Sequence, residues 1–245
     1  MVAVGSGKGG VGKSTVTVQL ALALARRGLR IAILDADFYG PNIPLLFGVS
    51  REERARQWNL WTRDAASLTP IEREGIALMS VGLLVGEGQA LTMGAPLLQP
   101  ALTQLLHDVD WGDRDVLLLD LPPGTSDLQQ QLLALATLDG AVVVVGPQDL
   151  AHLDGRKFVD FLRDANVRIL GGIENMSGLV CPHCGEAVEL YPRVPDERSV
   201  WALGVPVLGR VPFEPALASV PAVASTAFEA IGDRLAAVLD ERDAA

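Results

Sequence analysis

A chain of 245 residues that is 49% hydrophobic and carries a formal net charge of −10 is long enough for one large α/β domain and too apolar for disorder. The acidic balance excludes a general nucleic-acid grip, which needs basic patches. No apolar run reaches membrane-spanning length, and the first motif starts at Gly5, too early for a signal peptide, so a cytoplasmic protein with no membrane partner is expected.

The first predicted strand is Val2-Ala3-Val4, and an apolar helical pattern runs from Val16 to Ala25. Between them lies Gly5-Ser6-Gly7-Lys8-Gly9-Gly10-Val11-Gly12-Lys13-Ser14-Thr15, in which Gly7 to Ser14 satisfies G-x-x-x-x-G-K-S/T in full. Strand, glycine-rich loop and helix are the context that a phosphate-binding loop needs. The glycines let successive N–H groups converge on one point, and the helix N-terminus adds unpaired donors. Residues Gly7, Lys8, Gly9, Gly10, Val11, Gly12, Lys13, Ser14 and Thr15 are therefore expected to bind nucleotide. Lys13 supplies charge to the β- and γ-phosphates, and the Ser14 hydroxyl is a ligand for Mg²⁺.

An ordinary phosphate loop has no fixed need for a second lysine five residues before the first. Lys8-Gly9-Gly10-Val11-Gly12-Lys13-Ser14-Thr15 resembles the deviant Walker A ATPases. These include the Min and Par positioning proteins, the nitrogenase iron protein and the Mrp/Nbp35 iron–sulfur carriers. The resemblance implies an ATP-sandwich homodimer in which Lys8 reaches the partner's nucleotide and joins Lys13 in stabilising the transferring phosphoryl group.

Leu29 to Leu34 reads as a buried parallel strand and ends in Asp35-Ala36-Asp37-Phe38-Tyr39-Gly40-Pro41. Carboxylates just past a strand's carboxyl end lie where doubly wound sheets bind ligands. Asp37 is expected to orient or deprotonate the attacking water, and Asp35 to serve the Mg²⁺ shell or the loop; capping of the turn by both is the plain alternative. Asp-Ala-Asp-x-Tyr-Gly-Pro also resembles the first switch of the Mrp/Nbp35 branch.

Residues 51–73 read as a charged surface insertion with Trp58 and Trp61, Ile76 to Ser80 as a strand, and Pro96 to Val109 as an amphipathic helix. Met79-Ser80-Val81-Gly82 matches the Mrp/Nbp35 pattern, whereas Met93-Gly94-Ala95-Pro96 departs from it by lacking an arginine. The next strand, Val116-Leu117-Leu118-Leu119-Asp120, presents a carboxylate beside the phosphate loop for Mg²⁺. After it, Leu121-Pro122-Pro123-Gly124-Thr125-Ser126-Asp127 forms a stiff turn in which Gly124 can offer its N–H to a γ-phosphate, the basis of a switch.

Gly140 to Gly146 is another buried strand, followed by a helix to about Ala165 and a strand from Arg168 to Glu174. The resemblance implies that Asn175, at the end of that strand, reads the adenine edge, where an amide can pair bidentately. Cys181-Pro182-His183-Cys184 follows and holds the only two cysteines of the chain, so there is no secreted disulfide framework. Two sulfurs in a small turn admit zinc, a redox disulfide or a cluster alike. Two thiolates do not complete a four-ligand site, but a two-fold dimer brings four together. Resemblance of the 174–185 region to the Mrp/Nbp35 carriers implies one 4Fe–4S cluster bridging the dimer through Cys181 and Cys184. The likeness weakens at Tyr191 to Asp196 and resumes at Leu203 to Pro212, where Pro212 is implied to line the adenine pocket; Ala227 to Leu239 closes the chain as an amphipathic helix.

Taken together, strands near residues 2, 30, 76, 116, 140, 168 and 206 predict an α/β fold: a doubly wound, mostly parallel seven-stranded sheet with helices on both faces, residues 1–245 forming one P-loop ATPase domain with a Cys-x-x-Cys loop at 176–190. The resemblance implies a slow ATPase that carries an iron–sulfur cluster to recipient apoproteins. The alternatives are a positioning ATPase of the Min/Par kind and a metallochaperone ATPase with a zinc or nickel site at the dimer axis.

Overall fold

The computed structural model describes residues 1–38, 40–50, 53, 68–83, 95–218 and 221–243. Trp58, Trp61 and the altered segment up to Gly94 lie outside them. In chain order the main elements are β1 (Val2–Gly5), α1 (Lys13–Arg26), β2 (Ile31–Asp35), the short α2 (Ile43–Leu46), β3 (Ile71–Arg73), β4 (Ile76–Ser80), α3 (Ala95–His107), β5 (Val116–Asp120) and α4 (Asp127–Leu135). There follow β6 (Gly140–Val145), α5 (Asp149–Asp164), β7 (Ile169–Val180), β8 (Ala187–Val188), β9 (Val207–Phe213) and α6 (Glu229–Asp243).

The strands lie in the order β3-β4-β2-β5-β1-β6-β7-β8, with β9 also paired to β7. The seven expected strands are the parallel ones, from β4 to β9. Two short antiparallel strands bring the sheet to nine: β3 on β4, and β8 on β7. The apolar runs read without alternation because both faces are covered. Val2, Val4, Ile31, Ile33, Val142 and Val144 pack on the side of α1 and α6, where Leu20, Leu24, Ile231 and Leu235 meet them. Ala3, Leu34, Val143 and Val145 point the other way, toward Leu105, Leu128, Leu132 and Phe158 of α3, α4 and α5.

One boundary differs from expectation. β7 does not stop at Glu174 but continues through Asn175 to Val180. It does so through an irregularity: its register against β9 shifts between Asn175 and Leu179, and Met176 sits at φ 59°. The left-handed region is unfavourable for a side chain of that size, so pairing on either side holds the kink in place. The Cys-x-x-Cys turn is therefore the loop of a β7–β8 hairpin, on the same strand as Asn175.

Candidate functional site

The parallel register brings the carboxyl ends of three strands together. Asp120 pairs with Val4 of β1 and with Asp35 of β2, so both acids emerge beside the loop that leaves Gly5. That loop turns through Gly10 and Gly12, both at φ 82°, into the first turn of α1. Glycine takes this backbone without strain.

At the mouth of α1 the Lys13 ammonium is 2.7 Å from Asp120 Oδ2, 3.3 Å from Ser14 Oγ and 3.6 Å from Asp37 Oδ2. Ser14 Oγ donates to the same Asp120 Oδ2 at 2.7 Å. Burial works against the charge on Lys13, but the carboxylates of Asp120, Asp37 and Asp35 outweigh it and hold its pKa above the ordinary lysine value. A cation therefore already sits against the Ser14–Asp120 pair, and the hydroxyl and carboxylate oxygens there are the hard donor set that suits Mg²⁺.

Asp35 serves the loop after β2. Its carboxylate accepts from the N–H groups of Asp37 and Ile43, at 3.1 and 3.3 Å, and from the Ser80 hydroxyl at 2.8 Å. Full burial, and then the Asp120 charge, push its pKa up to about 7 against the pull of Lys13 and these donors. A folded-state pKa above the unfolded one contributes stability below pH 4 and loses it as pH rises through about 7. Urea unfolding of the ligand-free chain between pH 5 and 7.5 is expected to show a fall in stability from this group, and Asp35→Asn to remove that part of the slope. An unchanged slope in the variant would remove Asp35 as its source.

The remaining predicted residues fall in three places. Lys8 is exposed, and its carbonyl accepts the Ser6 hydroxyl at 3.0 Å. The Gly124 N–H donates to the Ser6 carbonyl at 2.9 Å, so it must leave Ser6 to reach a phosphate. Ser126 caps α4 by accepting from the Gln129 N–H. Asn175 and Pro212 do come together: with Thr15, Met176 and Phe213 they line a cavity of about 70 Å³ beside α1. Asn175 Nδ2, however, donates to the Val11 carbonyl at 2.9 Å. That bond uses one of the two N–H donors of the amide and leaves the other, with the amide oxygen, for a base.

The Cys181–Gly185 turn is closed by Cys181 N–H to the Glu186 carbonyl and Gly185 N–H to the Cys181 carbonyl, both at 2.9 Å. Both thiols are free, with Cys181 half-buried and Cys184 exposed. Hydrogen bonds from the backbone N–H groups of Cys184 and His183, and from the Cys184 side chain, lower the Cys181 pKa from its ordinary value. The turn thus favours a thiolate. Among the described residues no three His, Cys, Asp or Glu side chains form a metal-binding group, so this chain offers two sulfurs. Val180, Val188, Leu190 and Tyr191 are exposed around them.

Thr17 was not anticipated. Its hydroxyl lies 2.7 Å from Asp120 Oδ1, on the side of the carboxylate away from Ser14. The available signal was a polar residue four positions after Lys13, inside the run Val16-Thr17-Val18.

Comparison with known proteins gives consistent results. The iron–sulfur cluster carrier protein of Pseudomonas fragi is 42% identical over 212 residues, covering 86% of this chain and 72% of that protein. The iron–sulfur cluster carrier protein of Aquifex aeolicus is 40% identical over 219 residues, covering 89% of this chain; the chain spans 58% of that protein's length. Among solved structures, a nucleotide-binding protein from Archaeoglobus fulgidus in complex with ADP superposes with a TM-score of 0.72 at 34% identity, covering 88% of this chain and 82% of that one. No helix among the described residues is long and apolar enough to cross a membrane. Matched over residues 1–237 by the ParA family model for NUBPL iron-transfer P-loop NTPases, the chain belongs to that family.

Proposed function

We propose that residues 1–245 work as one P-loop ATPase domain that binds and hydrolyses ATP, pairs with a second copy, and carries a 4Fe–4S cluster as cargo to apoproteins of the cytoplasm. The observation that carries this reading is a single strand, β7, which contacts the phosphate loop through Asn175 and ends in the thiol turn.

The chain's own residues divide the work. Lys13 exchanges Asp120 for the β- and γ-phosphates, and Lys8, exposed on the loop, reaches toward the nucleotide of the partner copy. Asp37, buried beside Lys13, orients water for attack on the γ-phosphorus; the bond to the β-phosphate oxygen breaks, and ADP and phosphate leave. Ser14 and Asp120 would hold Mg²⁺, which supplies charge neutralisation on the phosphates. Gly124 exchanges the Ser6 carbonyl for the γ-phosphate and so reports its presence. Asn175 and Pro212 border the base cavity. Cys181 and Cys184 give two of four sulfurs, and a two-fold axis at the exposed apolar hairpin supplies the others. Nucleotide state then biases cluster retention through β7, a coupling between two sites.

The test is anaerobic reconstitution with iron and sulfide, followed by visible absorption and Mössbauer spectroscopy. One 4Fe–4S cluster per two chains is expected. In Cys181→Ala/Cys184→Ala the chromophore is lost while ATP binding is retained. A colourless protein with zinc or nickel at the cysteines would overturn the carrier reading in favour of a metallochaperone or a structural staple. A colourless, metal-free protein would favour a positioning ATPase.

A further inference from the structure

Resting on the nucleotide reading above, we propose that Thr17 is a positioning residue that fixes the orientation of the Asp120 carboxylate toward the metal. The Asp120 carboxylate is fully buried and takes three donors. Oδ2 receives Ser14 and Lys13, both at 2.7 Å, and Oδ1 receives the Thr17 hydroxyl at 2.7 Å. Thr17 is itself fully buried, one helical turn beyond Lys13.

A hydroxyl has one proton to give. Thr17 Oγ1 has two acceptors within reach, the Lys13 carbonyl at 3.0 Å and the Asp120 carboxylate at 2.7 Å. The ionised acceptor makes the stronger bond, and the shorter distance agrees. The Lys13 carbonyl already accepts a backbone N–H in the helix ladder, whereas Oδ1 has no other donor among the described residues. The hydroxyl is therefore spent on the acid. Its neighbours Val16, Val18 and Leu20 show that this stretch of α1 is packed with apolar side chains. A residue needed only to fill space there would be one of them, and threonine brings to a helix interior a polar group that needs a partner.

A carboxylate held at one oxygen only can tilt about its Cβ–Cγ bond, which swings that oxygen away from its partners. Thr17 on Oδ1 stops that rotation and leaves Oδ2 directed at Ser14. Mg²⁺ demands near-ideal octahedral geometry, so an acid that wanders binds it less well. The contacts run Thr17 to Asp120 to Ser14, with Asp120 and Ser14 the residues that would hold the ion.

The test uses the full chain and a fluorescent N-methylanthraniloyl-ATP, titrated with Mg²⁺ from an EDTA baseline. Thr17→Val removes the hydroxyl at nearly constant shape, and Thr17→Ser keeps it. We expect Thr17→Val to raise the half-saturating Mg²⁺ concentration roughly tenfold or more while leaving nucleotide affinity in EDTA unchanged. Thr17→Ser should follow the unsubstituted chain. A purely structural role would lower the unfolding midpoint and leave the Mg²⁺ dependence where it was, and that result would overturn the proposal. Should Thr17→Val not fold, Thr17→Ala is read the same way against Thr17→Ser. If the unsubstituted chain binds no nucleotide at all, the ATP-site reading fails and the role of Thr17 fails with it; nucleotide binding with an unshifted Mg²⁺ curve in the variant sinks Thr17 alone.

Discussion

Lys13→Ala is expected to abolish ATP turnover and also to destabilise the ligand-free chain, more at pH 8 than at pH 5.5. The first effect follows from the loss of the buried cation that the phosphate loop offers to the β- and γ-phosphates. The second follows from what Lys13 does when no phosphate is present. It is 6% exposed and faces Asp120 and Asp37, which are 0% and 6% exposed, with the fully buried Asp35 behind them. Removing one partner of a buried ion pair costs about 3–5 kcal/mol, because the charge left behind has neither water nor a counter-ion. Without Lys13 the already raised pKa of Asp35 loses the cation that pulls it down and rises further, so Asp35 takes up a proton more readily. Its contribution to stability is then present at low pH and lost as pH rises. Urea unfolding at the two pH values reads this difference. Lys13→Ala/Asp120→Asn should recover much of the stability at pH 8 and none of the turnover, which separates the electrostatic role from the chemical one. Retained turnover in Lys13→Ala, or an equal loss of stability at both pH values, would contradict this account.

The same cluster shows which features were legible in the sequence. The strands β1, β2, β4, β5 and β6 are apolar runs because helices cover both faces, and Asp35 and Asp120 stood out as acids ending such runs. The loop was legible because phosphate recognition by backbone N–H groups demands glycine at fixed spacing. The two antiparallel strands were not: β3 and β8 are three and two residues long, sit at sheet edges and carry no buried run. The continuation of β7 was hidden as well, since Asn175, Met176, Ser177 and Gly178 read as turn residues while the backbone follows the pairing partner instead. Long-range polar contacts escaped for another reason. Thr17 and Asp120 are 103 positions apart, and Val11 and Asn175 164, so no local pattern records them. The Gly124 N–H was recognised as a donor, but its bond to the Ser6 carbonyl has no signature in either turn.

The contact between Val11 and Asn175 supports a second large effect, expected for Gly12→Ala. Gly12 is the N-cap of α1 at φ 82°, ψ 25°, where an alanine costs about 1–2 kcal/mol in backbone strain alone. A methyl group there would also stand 2.3 Å from Asn175 Nδ2. The Asn175 side chain is buried and holds the Val11 carbonyl, so it yields only by giving up that bond, which leaves a buried acceptor unpaired at about 1–3 kcal/mol. We expect a clear fall in the unfolding midpoint. ATP affinity should drop roughly tenfold or more, since the loop and the first turn of α1 must shift together. Asn175→Ala alone removes the Val11 bond without the clash. In Gly12→Ala/Asn175→Ala the methyl group meets no amide, and only the backbone strain is added. The double variant should therefore be more stable than the sum of the two single effects predicts, by about 1 kcal/mol or more. Additivity within about 0.5 kcal/mol would mean that the two residues do not press on each other. A coupled result would place the phosphate loop in mechanical contact with the strand that carries Cys181 and Cys184. It would also predict that Gly12→Ala alters the environment of those thiols, measurable as a changed rate of thiol alkylation, while the double variant restores it.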